Sequence, residues 1–276
     1  MDKRHQNATE RHTQLVALLK AHGYCSVSEM SSTLNVTPMT IRRDLRILSE
    51  KHIVQVTHGG ARFYASKQIE PDFSVRTHEH LAEKQAIGKR ATELFIEEGD
   101  VVGIDSGSTT IEVARNLPNV PLTVVTHSLA AANVVAQNNQ HQLIMLGGML
   151  QHEANCFCGL QAVTVVRNLH INKLFLGASG LLIPDRLSSS NLLDAEVKQA
   201  LINSSRQVIL CADSSKIGKA FLAYFASLDA IHALVTDRGI TTADREALER
   251  HNVRVIIVPA STTFYPDLSL IRRMNN

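Results

Sequence analysis

The sequence predicts an α/β protein in two parts, a small N-terminal domain of short helices closed by a hairpin and a larger domain built on a mainly parallel sheet. Three observations predict it. Apolar residues recur at helical spacing through the first fifty positions, β-rich runs flank a Gly-Gly turn within residues 53–64, and from residue 83 onward short apolar runs alternate with helical stretches. The length of 276 residues exceeds what one hydrophobic core usually serves, so residues 1–64 and 82–276 are read as separate domains and 65–81 as their linker. Residues 1–66 carry nine Lys and Arg against five Asp and Glu, while the rest of the chain carries nineteen against twenty-one. The front of the chain therefore has the charge balance of a segment that meets a polyanion.

Composition excludes several classes. With 44% apolar and 20% charged residues the chain is globular, neither disordered nor fibrous. The uncharged stretch between Arg115 and Glu153 is broken by Pro118, Pro121, His127 and Asn133, so no apolar run is long enough to span a bilayer. The N-terminus opens with Asp2, Lys3, Arg4 and His5 and has no apolar leader, which makes the cytoplasm the expected compartment. Cys25, Cys156, Cys158 and Cys211 are too scattered for a disulfide framework and are read as reduced thiols. Aromatic residues make up 4% of the chain and Trp is absent, which leaves few platforms for stacking single-stranded bases.

The elements follow in order. Leu15, Leu18 and Leu19 mark a helix over about residues 9–22, stopped by Gly23. Ser28 is read as the cap of a second short helix carrying Met30 and Leu34 and ending at Asn35. Thr37 before Pro38 opens a third helix, whose apolar stripe is Ile41, Leu45 and Leu48 and whose other face presents Thr40, Arg42, Arg43 and Arg46, with Met39 near its start. A short helix, a tight turn and an arginine-faced third helix make a helix-turn-helix, and the hairpin around His58-Gly59-Gly60 makes its wing. An α-helix fits the major groove of duplex DNA, and arginine offers paired donors to guanine or phosphate. Thr37, Met39, Thr40, Arg42, Arg43, Arg46, His58 and Gly59 are the expected DNA contacts. Asp44 would be repelled by phosphate and is read as structural, pairing with an arginine at helical spacing or orienting a neighbouring side chain.

Arg11, Leu15 and Leu19, followed after a gap by Thr37, Thr40, Ile41, Arg42, Arg43, Asp44 and Leu45, resemble the N-terminal pattern of the DeoR family of bacterial transcription regulators. The wing is similar to that family's His-Gly-Gly-Ala, with Val56 standing where members often carry a basic residue.

Beyond the linker, Ile87, Ala91 and Leu94 mark a helix over 83–95. Strands are expected at 101–104, 122–125, 143–146, 173–176, 208–211, 233–235 and 253–258, with helical stretches near 110–117, 129–137, 160–168, 194–204 and 242–250. Such alternation argues for a parallel sheet covered on both faces, with ligands beyond the carboxyl ends of its strands. Asp105-Ser106-Gly107-Ser108-Thr109-Thr110, between a strand and a helix, is built like a phosphate cradle, although it is not a Walker A loop. Asp105 itself suits a sugar hydroxyl or the loop's own amides. His127, Ser128, Gly147 and Gly148 at neighbouring strand ends, together with Lys198 and Lys216 as cations, complete the expected effector site. No cofactor is expected. His152 with Cys156 and Cys158, and His78 with His80, lack a clear fourth ligand, so no metal is expected either.

Glu83-Lys84, Asp105–Thr110, Leu146-Gly-Gly148, Leu176-Gly-Ala178, Ala195-Glu-Val-Lys198 and Ala212-Asp-Ser-Ser-Lys216 resemble the sensor domain of the same DeoR family. That resemblance implies a fold similar to ribose-5-phosphate isomerase and a phosphorylated sugar as effector. It also raises a rival reading, an isomerase-like enzyme. The isomerase's Val-Asp-Gly-Ala-Asp segment corresponds here to Leu176–Gly180, which lacks both carboxylates, and its glycine-rich lysine loop corresponds to Arg186–Leu192, where none is recognisable. The expectation is therefore a non-catalytic repressor of a sugar operon, acting on a double-stranded operator as a homo-oligomer, a dimer or tetramer.

Overall fold

The computed structural model describes residues 8–22, 24–50, 54–57, 59–63 and 70–259, and the chain divides into two compact units, Met1–Ile69 and Glu70–Asn276. The first unit runs α1 (Ala8–His22), β1 (Tyr24–Ser26), α2 (Val27–Leu34), α3 (Pro38–Glu50), β2 (Val54–Thr57) and β3 (Gly60–Phe63). Its core is the set of stripes legible in the sequence: Leu15, Leu19, Met30, Ile41, Leu45, Leu48, Val54 and Ala61, each 3% exposed or less. Burying each large aliphatic side chain contributes about 1.5–3 kcal/mol, which fixes the three helices against the hairpin.

Helix α2 begins earlier than expected, because Ser26 rather than Ser28 caps it. The Ser26 hydroxyl accepts the Glu29 N–H at 3.2 Å while the Ser26 N–H donates to Glu29 Oε2 at 2.7 Å. Ser28 has Ser31 three residues on, and no carboxylate to return the second bond. Asn35 ends α2 in the left-handed conformation at φ 52°, and the Thr37 hydroxyl accepts the Thr40 N–H at 3.3 Å at the start of α3. Strand β1, three residues long, pairs with β3 beside the expected hairpin. A Cβ at Gly60 would lie 2.4 Å from the Cys25 carbonyl oxygen, so only glycine allows that pairing.

Asp44 is structural, but its partners lie on α1 rather than at helical spacing on α3. Its Oδ2 accepts Arg11 Nε at 2.6 Å, and its Oδ1 faces Arg11 Nη2 at 3.1 Å and His12 Nε2 at 3.0 Å. Burial works against the carboxylate charge, yet the bonds from Arg11 and His12 hold its pKa below the usual value. Asp44→Ala is expected to destabilise the first unit by about 1.5–3 kcal/mol, because it removes the charged acceptor that Arg11 and His12 share. Denaturant unfolding of the full chain would read this. A depressed native pKa contributes stability above the unfolded pKa and loses it as pH falls, so the deficit of the variant should shrink in acid. A deficit that is small at neutral pH or constant with pH would contradict the pairing.

The second unit is built on seven parallel strands in the order β15-β14-β12-β9-β4-β5-β6. They are β4 (Val101–Ile104), β5 (Leu122–Thr126), β6 (His141–Met145), β9 (Ile171–Leu176), β12 (Ser205–Cys211), β14 (Ala233–Thr236) and β15 (Arg254–Ile257), the seven the sequence predicts with bounds shifted by up to three residues. Alternate residues serve opposite faces: Leu174, Leu176, Val208 and Leu210 join the core under α8 (Leu160–Val166) and α9 (Leu192–Asn203). Phe175, Ile209 and Cys211 join the core under α5 (Leu81–Phe95), α6 (Thr110–Arg115) and α7 (Leu129–Val135). From β4 the chain moves outward through β5 and β6, then returns to β9 on the other side of β4 and continues through β12 to β15. The carboxyl ends of β4 and β9 thus flank a topological switch point, where a crevice opens.

Smaller pieces went unseen in the sequence. β7 (Met149–Gln151) pairs with β8 (Cys156–Cys158), and β10 (Gly180–Leu182), β11 (Arg186–Ser189) and β13 (Ala223–Ser227) form a second antiparallel sheet. The helical stretch expected at 242–250 is α10 (Thr242–Arg250), which precedes β15. The stretch read as linker is ordinary domain from residue 70 onward. There α4 (Phe73–Arg76) is held by the buried Lys84 ammonium, which donates to the carbonyl oxygens of Arg76 and Glu79. Among the described residues no helix is long and apolar enough to cross a membrane.

Candidate functional site

Two surfaces carry chemistry, one in each unit. In the first unit the apolar stripe of α3 is consumed by the core, so Met39, Arg42, Arg43 and Arg46 face outward; Met39 is 72% exposed. Arg42 and Arg46, one turn apart, line a groove with Ser49, Val56 and Gly59, between α3 and the hairpin. Arg43 does not line it, being rotated about 100° from Arg42. The Thr37 and Thr40 hydroxyls are 2.9 Å apart and bonded to each other, so they serve the start of α3 first. Gly59 sits at φ 84° in the hairpin turn, and His58 lies outside the described residues.

In the second unit the crevice at the switch point is a narrow cleft, partly open to solvent. Ser106, Gly107, Ser108 and Thr109 of the loop after β4 line one side, and Lys198 and Lys216 also reach it. Thr110 holds the loop in shape, its hydroxyl donating to the carbonyls of Asp105 and Gly107 at 2.8 and 3.1 Å. Asp105 lies beneath the loop, fully buried, where it accepts the Gly177 N–H at 2.8 Å and the Lys198 ammonium. It ties β4 to β9 and is not available to a ligand.

The remaining expected residues divide. His127 is completely buried behind the cleft, its Nε2 3.3 Å from Asp194 Oδ1 and 3.6 Å from Asp105 Oδ1. Burial opposes its charge, but bonds with Asp194 and Cys156 and the Asp105 carboxylate push the imidazole up to about 10. Ser128 does not reach the cleft; its hydroxyl accepts the Ala131 N–H at 3.2 Å and caps α7. Gly147 and Gly148 are likewise outside it. Gly148, at φ 137°, lets β7 approach β8, since a Cβ there would lie 2.4 Å from the Cys158 carbonyl oxygen. Lys198 is occupied rather than waiting. It pairs with Asp105 and lies 3.5 Å from Asp194 Oδ2, and although burial opposes its charge, these carboxylates hold its pKa above the ordinary value.

Sequence reasoning missed several groups in the cleft. Glu70 and Arg76 come from the stretch read as linker; they lie 3.2 Å apart, each side chain 9% exposed. Glu70 Oε2 accepts the hydroxyls of Ser179 at 2.7 Å and Ser190 at 2.6 Å. Asp194 receives Ser106 Oγ at 2.9 Å and Ser189 Oγ at 2.8 Å, and Lys198 and His127 hold its carboxyl well below the usual range against the effect of burial. Ser189-Ser190-Asn191 before α9 carried the one available signal, a capping string: Asn191 Oδ1 accepts the amides of Leu193 and Asp194. Glu70 and Arg76 carried none. The result is a cleft rimmed by hydroxyls, with Arg76 and Lys216 as cations and the Glu70 carboxylate set among them. Burial lowers the Lys216 pKa and Glu70 offsets this in part. Such a cleft suits a small polyhydroxylated anion.

Comparison with known proteins gives the same division. Residues 11–67 match the family model of the DeoR-like helix-turn-helix domain, and residues 79–238 that of the DeoR C-terminal sensor domain. The chain is 36% identical over 252 residues, 91% of its length and 97% of the other's, to the uncharacterized HTH-type transcriptional regulator YulB of Bacillus subtilis (strain 168). It is 29% identical over 248 residues, 90% of its length and 98% of the other's, to the glycerol-3-phosphate regulon repressor of Escherichia coli (strain K12). Among solved structures, ribose 5-phosphate isomerase A of Methanocaldococcus jannaschii aligns with 49% of this chain and 53% of its own, at 18% identity and a TM-score of 0.36.

Proposed function

Since the chain belongs to the DeoR family of helix-turn-helix transcriptional regulators, we propose that it represses a sugar-metabolism operon and is released by a phosphorylated sugar held in the switch-point cleft. The observation that carries this reading is the meeting of Arg76, Lys216 and the Ser106, Ser108 and Thr109 hydroxyls around one cleft. A phosphate takes the cations and hydroxyls. The sugar hydroxyls take the Ser179, Ser190 and Asn191 side.

Glu70 gives the ligand something to act on. Its carboxylate is an internal anion on Arg76, Ser179 and Ser190, and a doubly charged phosphate competes for the same donors. Glu70 is also the first residue of the second unit. An effector that weakens operator binding by some factor is itself bound less tightly by operator-bound protein by the same factor. Paired half-sites a helical turn apart call for at least two chains.

The enzyme reading is disfavoured by the state of the carboxylates. Sugar-phosphate isomerisation needs a positioned base, whereas Asp105 and Asp194 are tied to Lys198 and Glu70 to Arg76 and two serines. The purified protein is expected to show no turnover of pentose phosphates, and measurable turnover would restore the enzyme.

Thermal-shift screening against sugars and their phosphates tests the ligand class. A ligand at 100 times its Kd stabilises by about 2.7 kcal/mol, and only phosphorylated members are expected to do so. Ser108→Trp should fill the cleft, keep operator binding and lose the ligand response. A response that survives in this variant would move the ligand elsewhere.

A further inference from the structure

Behind the cleft, three elements bring unlike donors to one point. His127 follows β5, Cys156 lies on β8 and Asp194 on α9; all are buried, and their ligand atoms lie within 4.8 Å of one another. Cys158, two residues along the same strand and so on the same face, puts its sulfur 3.5 Å from that of Cys156. The sequence pairs these cysteines with His152, which is exposed; the fold pairs them with His127.

We propose that His127, Cys156 and Asp194, with Cys158 turning in as the fourth donor, form a site for a structural divalent transition metal of the zinc class.

The spacing argues for it. Around a tetrahedral zinc with bonds of about 2.0–2.3 Å, nitrogen and oxygen ligands sit about 3.4 Å apart and sulfur and oxygen about 3.6 Å apart. Here His127 Nε2 is 3.3 Å and Cys156 Sγ 3.8 Å from Asp194 Oδ1. Charge-assisted N–H···O bonds close to about 2.7–2.9 Å when nothing lies between the partners, as Arg11 does on Asp44 at 2.6 Å. The His127 and Cys156 contacts with Asp194 Oδ1 match the ligand spacing more closely than that of a charge-assisted bond.

The carboxylate is divided accordingly. Asp194 Oδ1 faces His127 and Cys156, while Oδ2 accepts Ser189 Oγ at 2.8 Å and lies 3.5 Å from Lys198, so Lys198 stands on the far oxygen rather than in the site. These are the outer contacts that orient a ligating carboxylate. Ser106 of the cradle loop also donates to Oδ1 at 2.9 Å, which places the metal one hydrogen bond from the cleft. Nitrogen, oxygen and thiolate together select borderline ions, Zn²⁺ before Mg²⁺ or Ca²⁺. As the metal binds, each thiol and the protonated His127 imidazole give up a proton to solvent.

The test uses untagged full-length protein, stripped with a chelator and titrated with Co²⁺. The expected result is one Co²⁺ per chain, with the sulfur-to-metal absorption and the intense visible bands of a tetrahedral thiolate site, both erased by Zn²⁺. Cys156→Ser and Asp194→Asn should each weaken Co²⁺ binding by at least the roughly 10–100-fold that losing an outer contact costs. Cys158→Ser should roughly halve the sulfur-to-metal absorption, and Cys25→Ser/Cys211→Ser should leave the spectrum intact. Circular dichroism and operator binding of each variant report folding independently of the metal. Absence of stoichiometric binding by folded wild-type protein, or a spectrum that follows Cys25 or Cys211, would overturn the proposal.

Discussion

Lys198→Met is expected to destabilise the second unit by about 3–5 kcal/mol, because removing one partner of a fully buried ion pair strands the other charge without water. Two carboxylates depend on this ammonium: Asp105, its direct partner, and Asp194 at 3.5 Å. Lys198 is 3% exposed and Asp105 fully buried, so solvent cannot take over. The loss should appear as an earlier unfolding transition of the full chain in denaturant. Adding Asp105→Asn should recover a large part of it, since the neutral amide no longer needs a counter-charge while its oxygen can still accept the Gly177 N–H. A single variant of near wild-type stability, or a double variant no better than the single, would show that the switch point is not held together by charge. The expectation also separates Lys198 from Lys216: Lys216→Met should lower ligand response with little loss of stability, since it is only partly buried.

The second large effect is expected on α3. Arg42 and Arg46 share the groove beside the wing, and each truncation to Ala should cost operator affinity about 1–3 kcal/mol, roughly 5–150-fold. Salt tells the two modes of contact apart. An arginine on phosphate weakens all sequences alike, and its loss reduces the slope of log K against log salt by about 1. An arginine on a guanine edge leaves more of that slope and relaxes the sequence preference instead. Arg43, rotated away from the groove, should show the phosphate pattern. Fluorescence anisotropy with operator and scrambled duplexes at several salt concentrations would measure both. Variants whose affinity and slope match wild type would remove α3 from the interface.

How legible the protein was depended on the range of the interaction. The stripes Leu15/Leu19 and Ile41/Leu45/Leu48 and the seven strand runs were readable because burial of a helix or strand face repeats with a local period. The Asp105–Thr110 loop was readable because a cradle is one contiguous string. The structural role of Asp44 was legible but its partner was not, since a carboxylate among arginines invites a same-helix pairing while its arginine lies 33 residues away on α1. Ser128, Gly147 and Gly148 read as ligand groups in the sequence because a cap, a close approach and a binding loop use the same small residues.

By itself, then, the sequence determined the two-part plan, the periodic cores, the outward arginines of α3 and the hydroxyl loop at the end of β4, all of which follow from residues within one turn or one strand of each other. Only the tertiary structure decided that Lys198 is the counter-ion of Asp105, that Glu70 and Arg76 enter the cleft, and that His127 meets Cys156 and Asp194. Those meetings span 93, 109 and 67 residues for Lys198–Asp105, Glu70–Ser179 and His127–Asp194. No local pattern encodes them, because what joins them is the order in which seven strands are laid side by side.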